Sequence, residues 1–329
     1  MLSTSPAVRI AGGPVSSRFA SAPDGPSHFR NSKTMNSYRI LSGASLLAFS
    51  TLVTAPQADA ADAPAPAPES AASAPAATPF ATTTANINLV SDYRFRGTDQ
   101  TWGKPAVQGG ADLVLANGIY VGTWASNVSG NSYPGGSLEI DYYAGYNGKI
   151  NDDFGYTVGG YGYYYPGADY DKSACPSAAF PAPCALPSQG LNTFELNAGV
   201  SWKWISYKLS VSTGDYFGAN ASTGYSGHTS GTLYHDLSAT WAIADDISLV
   251  GHVGHTDVKA SYAGISPDYT DYRVTLAKTF TGGWSVSAAA AGANNDKFFR
   301  PPVGGLSLAN GDTRRLNKPV LIVQVGRTF

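Results

Sequence analysis

The sequence predicts an all-β chain closed into a transmembrane antiparallel barrel of about twelve strands. Three observations carry that expectation. Apolar and polar residues alternate with a period of two along most of the chain beyond residue 84, as strands with one apolar face require. Short and long connections alternate between those runs, and the chain ends on an aromatic residue, Phe329. Composition agrees, with 37 Gly, 20 Tyr and 13% charged residues, against about 25% charged in ordinary domains. Such a chain is too aromatic and too weakly charged to be disordered. It has no apolar run of the roughly 18 residues that a membrane-crossing helix needs. The formal net charge of -2 leaves no electrostatic footprint for nucleic acid.

The N-terminal residues read as an export address. Met35 precedes a short basic segment ending at Arg39, an apolar segment from Ile40 to Thr54, and the small-residue cleavage pattern Ala58-Asp59-Ala60. Residues 35–60 are therefore expected to be a signal peptide, and residues 1–34, which have no periodicity, an extension from a start codon upstream of the native one. Residues 61–82 are almost all Ala, Pro, Ser and Thr, a spacer that favours extended backbone and cannot bury a core. The barrel is assigned to residues 83–329. Beyond residue 60 the chain carries 16 Lys and Arg against 21 Asp and Glu, a net charge of -5.

Within the barrel, each run is justified by its alternation. In the first, near 85–97, Ile87, Leu89, Tyr93 and Phe95 share one face, and Asn88, Asp92, Arg94 and Arg96 the other. Runs follow near 105–116, 119–128, 137–146, 154–165, 191–202, 205–213, 231–243, 247–256, 269–280, 284–293 and 317–329. Most have roughly the 9 to 11 residues of a tilted membrane strand. Asn117-Gly118, 147–153, Lys203-Trp204, 244–246 and 281–283 are short connections, expected on the periplasmic side, and Asn117-Gly118 is the dipeptide of type I′ hairpins. The intervening 98–104, 129–136, 166–190, 214–230, 257–268 and 294–316 are mostly longer, rich in Gly, Pro, Ser and Asn, and expected outside the cell. Tyr93, Phe95, Trp102, Tyr142, Tyr146, Trp202, Trp204, Trp241, Phe280 and Trp284 are expected in two interfacial girdles. The terminal Phe329 resembles the assembly signal of outer-membrane proteins, and Arg327 beside it departs from the apolar pattern but can snorkel.

Four stretches, Ser91-Asp92-Tyr93-Arg94-Phe95-Arg96-Gly97, Gly122-Thr123-Trp124-Ala125-Ser126-Asn127-Val128, Leu138-Glu139-Ile140-Asp141-Tyr142-Tyr143-Ala144-Gly145-Tyr146 and Asp215-Tyr216-Phe217-Gly218, resemble the TorF family, whose members are assigned as porins. The resemblance covers most of residues 84–329. It implies an outer-membrane barrel with a pore role in a Gram-negative envelope. The spacer and the 166–190 loop look like additions to that pattern.

If the apolar face meets lipid, the charged face must line a lumen, because a charge turned to the bilayer midplane costs about 2 to 4 kcal/mol. That places Asp92, Arg94, Arg96, Asp112, Glu139, Asp141, Glu195, Lys208, Asp236, Asp271 and Arg273 inside, seven acids to four bases. The expected consequence is a weak preference for cations. Against it stands the reading that these charges pair across the lumen and plug it. Cys175 and Cys184, in the longest loop of an exported chain, are expected to form a local disulfide.

His252 and His255 differ by three positions, so on one strand they face opposite ways and do not share a site. The chain has no motif of a hydrolase, a metalloprotease or a phosphate-binding loop. The function read from the sequence is a passive channel for small hydrophilic solutes, without enzyme activity, cofactor or metal. Its expected partners are outer-membrane lipids, the barrel assembly machinery and, open at this stage, further copies of itself. The alternative is a non-conducting structural or adhesive barrel that acts through its outer loops.

Overall fold

A computed structural model describes residues 80–173, 186–300 and 314–329. Alternation organises them into fourteen strands: β1 (Ala81–Val90), β2 (Arg94–Phe95), β3 (Thr98–Asp99), β4 (Ala106–Leu115), β5 (Ile119–Asn127), β6 (Leu138–Lys149), β7 (Phe154–Tyr164), β8 (Thr193–Trp202), β9 (Ile205–Ser212), β10 (Leu233–Ala244), β11 (Ile247–Asp257), β12 (Tyr269–Thr279), β13 (Trp284–Ala293) and β14 (Val320–Thr328). All but β2 and β3 join in one closed barrel in which each strand is antiparallel to its neighbours. The seam closes where β14 returns to β1, with Asn86 opposite Thr328 and Val90 opposite Gln324. Closure satisfies every strand edge, the condition for a sheet to cross hydrocarbon. Among the described residues no helix is long and apolar enough to cross a membrane.

The wall is inverted relative to a soluble domain. Leu89, Val274, Leu276 and Leu321 are exposed on the outside, while their sequence neighbours Asn88, Arg273, Thr275 and Ile322 are buried inside. Each large apolar side chain taken from water into lipid contributes roughly 1.5 to 3 kcal/mol, so this outer band holds the barrel in a bilayer. Tyr142, Tyr146, Trp202, Trp204, Trp241, Phe280 and Trp284 are also exposed outward. The Arg327 guanidinium lies 5.4 Å from the Trp284 ring centre and 4.7 Å from that of Phe329.

The connections at the end that holds Phe80 and Phe329 are short, and those at the other end are mostly long. The turn at Asn117-Gly118 differs from its expected type. Only Gly118 has a positive φ, 94°, so the hairpin closes through a three-residue loop with one left-handed glycine rather than a type I′ pair. The last strand starts at Val320 and not near 317. Pro319 has no N–H for the ladder, and the Asn317 side chain is spent donating to the carbonyls of Ala293 and Asn294, each at 3.1 Å.

Glycines explain how so many tyrosines fit on one wall. The Tyr120 hydroxyl lies over Gly145 and Gly159 of β6 and β7, where an added Cβ would come within 2.4 and 2.5 Å of it. The ring is seated where neighbouring strands have no side chain.

The largest correction concerns the first run. β1 begins at Ala81, inside the stretch expected to be spacer, and ends at Val90. The alternation continues to Phe95, yet Tyr93, Phe95 and Trp102, expected in a lipid-facing girdle, are buried. Residues 91–105 leave the wall and turn into the barrel, where β2 and β3 form a separate two-stranded hairpin.

Candidate functional site: the barrel interior

The inserted hairpin is built from two tight turns. Arg96 and Gly97 both have positive φ, 46° and 75°, as do Trp102 and Gly103, 58° and 68°. Paired positive values are the signature of type I′ geometry, and they reverse the chain twice within a few residues. Gly97 is required at the tip. A Cβ there would stand 2.5 Å from the Gly292 carbonyl oxygen and 2.7 Å from Asp271 Cβ, so the tip is pressed against β12 and β13.

Side chains hold the hairpin in place. Arg96 makes a two-pronged pair with Glu195 of β8, at 2.7 and 3.0 Å, and donates to the Tyr216 hydroxyl at 3.0 Å. Its guanidinium lies 3.8 Å from the ring centre of Tyr234 on β10. Arg94 donates twice to Asp92, at 2.7 and 3.1 Å, and reaches the carbonyls of Leu316 and Lys318 at 2.8 and 3.1 Å. Asp99 accepts from the N–H groups of Thr101 and Gly103 and pairs with Arg314. A second loop closes over the first: Phe217, with φ 49°, sets its ring 5.7 Å from Phe95. Two of the stretches singled out in the sequence, 91–97 and 215–218, thus meet inside the barrel.

All eleven charged residues expected to line the lumen lie inside, but in two arrangements. Asp92, Arg94 and Arg96 are on the inserted hairpin rather than on a wall strand. The other eight are on the wall. On the β4–β6 side, carboxylates are answered by phenols: Tyr143 donates to Asp112, Tyr161 to Asp141, and both Tyr93 and Tyr165 to Glu139, at 2.7 to 2.9 Å. On the β9–β12 side they are answered by cations and an imidazole. Lys208 lies 3.9 Å from Asp236, and His252 lies between Asp236 at 3.2 Å and Asp271 at 2.9 Å. Arg273 donates to Thr275 at 3.2 Å.

His235 and His255 lie on the outer face, bonded to Tyr207 and Thr270, while His252 faces in, as the odd spacing requires. Ser238 approaches His252 Nδ1 at 3.1 Å, which brings a hydroxyl, an imidazole and the Asp271 carboxylate into line. The Ser238 hydroxyl also donates to Asp236 at 2.8 Å, so the group is a knot of mutually satisfied polar groups. Among the described residues no cluster of metal-ligating side chains occurs. Cys175 and Cys184 lie outside the described residues. Between the hairpin and β11–β13 a small cavity of about 20 Å³, room for about one water molecule, is lined by Arg94, Arg96, His252, Asp271 and Arg273.

A family model described as "Bacterial protein of unknown function (Gcw_chp)" matches residues 73–329. The chain belongs to the Gcw_chp family. The barrel that the resemblance to TorF proteins implied is present, and the family match itself carries the Gcw_chp description. No curated protein matches the sequence. Among solved structures, this barrel is similar to a KdgM porin in complex with disordered oligogalacturonate, at 8% identity and a TM-score of 0.43, over 75% of this chain and 98% of that one. A NanC porin is similar at 10% identity and 0.43, over 75% and 99%. The COG4313 outer membrane channel from Pseudomonas putida F1 is similar at 14% identity and 0.38, over 77% and 97%. The functional reading below rests on this chain's own residues.

Proposed function

We propose that this protein is an outer-membrane channel through which small hydrophilic solutes diffuse passively, with the inserted hairpin as its constriction. One observation carries the reading: a lipid-facing wall closes around an interior of charges, hydroxyls and a solvent-sized cavity beside the hairpin. Solutes pass the hairpin through the lumen, and lumen width and charge set what passes. A weak cation preference follows from the charge balance. Asp112, Glu139 and Asp141 are hydrogen-bonded by phenols and have no cation partner among the described residues, so the acids outnumber the bases on that side of the lumen. Export through a signal peptide at 35–60, a spacer at 61–82, a disulfide between Cys175 and Cys184, and recognition of Phe329 by the barrel assembly machinery belong to the same reading.

The second reading, a non-conducting barrel that acts through its outer loops, is favoured by one feature. Tyr93, Glu139 and Asp141 are each 0% exposed, so the hairpin packs against the wall without a gap there. Single-channel conductance in a planar bilayer under a salt gradient separates the two. Discrete steps with a cation-leaning reversal potential support the channel, and silence from folded protein supports the plugged barrel.

A further inference from the structure

The inserted hairpin covers a wall of carboxylates and phenols, to which it offers a hydroxyl and a ring edge. On that wall β6 presents Glu139 and Asp141, two residues apart on one face, beside Tyr161, Tyr163 and Tyr165. The hairpin meets it with two kinds of contact. The Tyr93 hydroxyl donates to Glu139 at 2.9 Å, and the Phe95 ring stands edge-on to Tyr163, with centres 5.3 Å apart and planes at 75°. A hydroxyl on a carboxylate and C–H groups against an aromatic face are also what a pyranose ring offers, because the ring face is negative and attracts C–H edges.

The wall has acceptor capacity to spare. Asp141 Oδ2 accepts from Tyr161 at 2.7 Å, but Oδ1, although buried, has no donor among the described residues. On the same lumenal surface Gln108 Oε1 is buried and also without a donor. Buried acceptors left over in this way call for a partner rich in donors. With two carboxylates and no cation beside them, the wall disfavours a partner that brings negative charge.

We propose that Glu139, Asp141, Tyr161, Tyr163 and Tyr165 form a binding track for saccharides without negative charge, and that Tyr93 and Phe95 occupy it when no sugar is bound. The transport role of the track rests on the channel reading; binding does not. The test is calorimetric titration of the full chain, isolated from membranes in detergent, with maltotriose and with trigalacturonate.

Maltotriose is expected to bind and trigalacturonate to give no heat. Asp141→Asn, which keeps the side-chain shape, should weaken maltotriose at least fivefold. Phe95→Ala, which removes an occupant of the track, should tighten it at least threefold, an effect that loss of structure would not produce. Retained heat-modifiable migration on gels certifies that each variant is folded, and Glu139→Gln provides the second carboxylate variant if Asp141→Asn is not. No maltotriose heat with either the native chain or Phe95→Ala overturns the proposal, as does equal binding of the uronate. Sugar binding by a barrel that carries no current rejects the channel and leaves the track. Current with no sugar binding rejects the track and leaves the channel.

Discussion

Residues 81–90 and residues 91–103 follow each other along one alternating run, yet they are held by different forces. The first half is wall. Every residue from Ala81 to Val90 faces a partner on β4, and Asn86 to Val90 also face β14, so backbone hydrogen bonds hold it whatever the side chains are. The second half keeps little of that ladder: Ser91 still donates to the Val323 carbonyl, β2 and β3 pair with each other, and single backbone bonds run from Asp99 N–H to the Leu316 carbonyl and from Ser129 N–H to the Gln100 carbonyl. Its anchors are side chains, Arg96 on Glu195, Tyr93 on Glu139 and Arg94 on the carbonyls of Leu316 and Lys318. A backbone-held wall tolerates single side-chain losses on its inner face, whereas a hairpin held by a few buried charges does not.

The sharpest way to break this contrast is Arg96→Ala. It leaves Glu195 buried without its partner, and loss of one member of a buried pair costs about 3 to 5 kcal/mol. The expected result is a several-fold rise in conductance with a barrel that still migrates as folded on gels; unchanged current would show that the pair does not hold the hairpin. Val274→Arg attacks the wall instead, at an exposed outward position in the middle of β12. It should cost about 2 to 4 kcal/mol in urea refolding into lipid vesicles, with conductance of the folded fraction unaltered. An unaltered unfolding midpoint would mean that this face does not meet lipid.

Gly97→Ala returns to the hairpin on a smaller scale. The position has φ 75° and no room for a Cβ, so roughly 1 to 3 kcal/mol of strain is expected. The measurement is channel noise: more frequent switching between current levels than in the native chain supports the tight fit of the tip, and identical traces refute it.

The smallest effect expected is on pH dependence in the outer loops. Asp169 accepts from the backbone N–H of Asp171, from the Ser188 hydroxyl and from the backbone N–H of Gln189, which together hold its carboxyl down at about 2. A depressed carboxyl stabilises the loop fully above its unfolded value near 4, and that contribution is lost as pH falls through about 2. Pepsin should therefore cut between residues 165 and 192 faster at pH 2 than at pH 4, relative to its cutting of a denatured control. An unchanged ratio would show that Asp169 does not clamp the loop.

Most of the wall was legible because a period of two assigns a face to every residue at once. Leu138 to Tyr146 and Phe194 to Trp202 have the inward and outward sets that alternation demands, and the same parity separates His252 from His255. The break after Val90 was not legible from that pattern, since Tyr93 and Phe95 keep the alternation unbroken. A different signal was available. Arg96-Gly97 and Trp102-Gly103 are two residue-glycine pairs six apart, and each proves to be a turn with two positive φ values. For the interior, sequence parity found the charged residues but not their partners. Arg96 and Glu195 are 99 positions apart, and Asp271 meets His252 only because β11 and β12 are neighbours.

By itself the sequence determined the strand count, the strand faces and the closure of the barrel, because these follow from local alternation and from the lengths of the connections. Only the tertiary structure decided that the first connection folds into the lumen, and that some carboxylates there are answered by phenols and others by cations. Those outcomes depend on which side chains meet across an enclosed space, where a buried charge must find a partner, and no local pattern along the chain encodes that meeting.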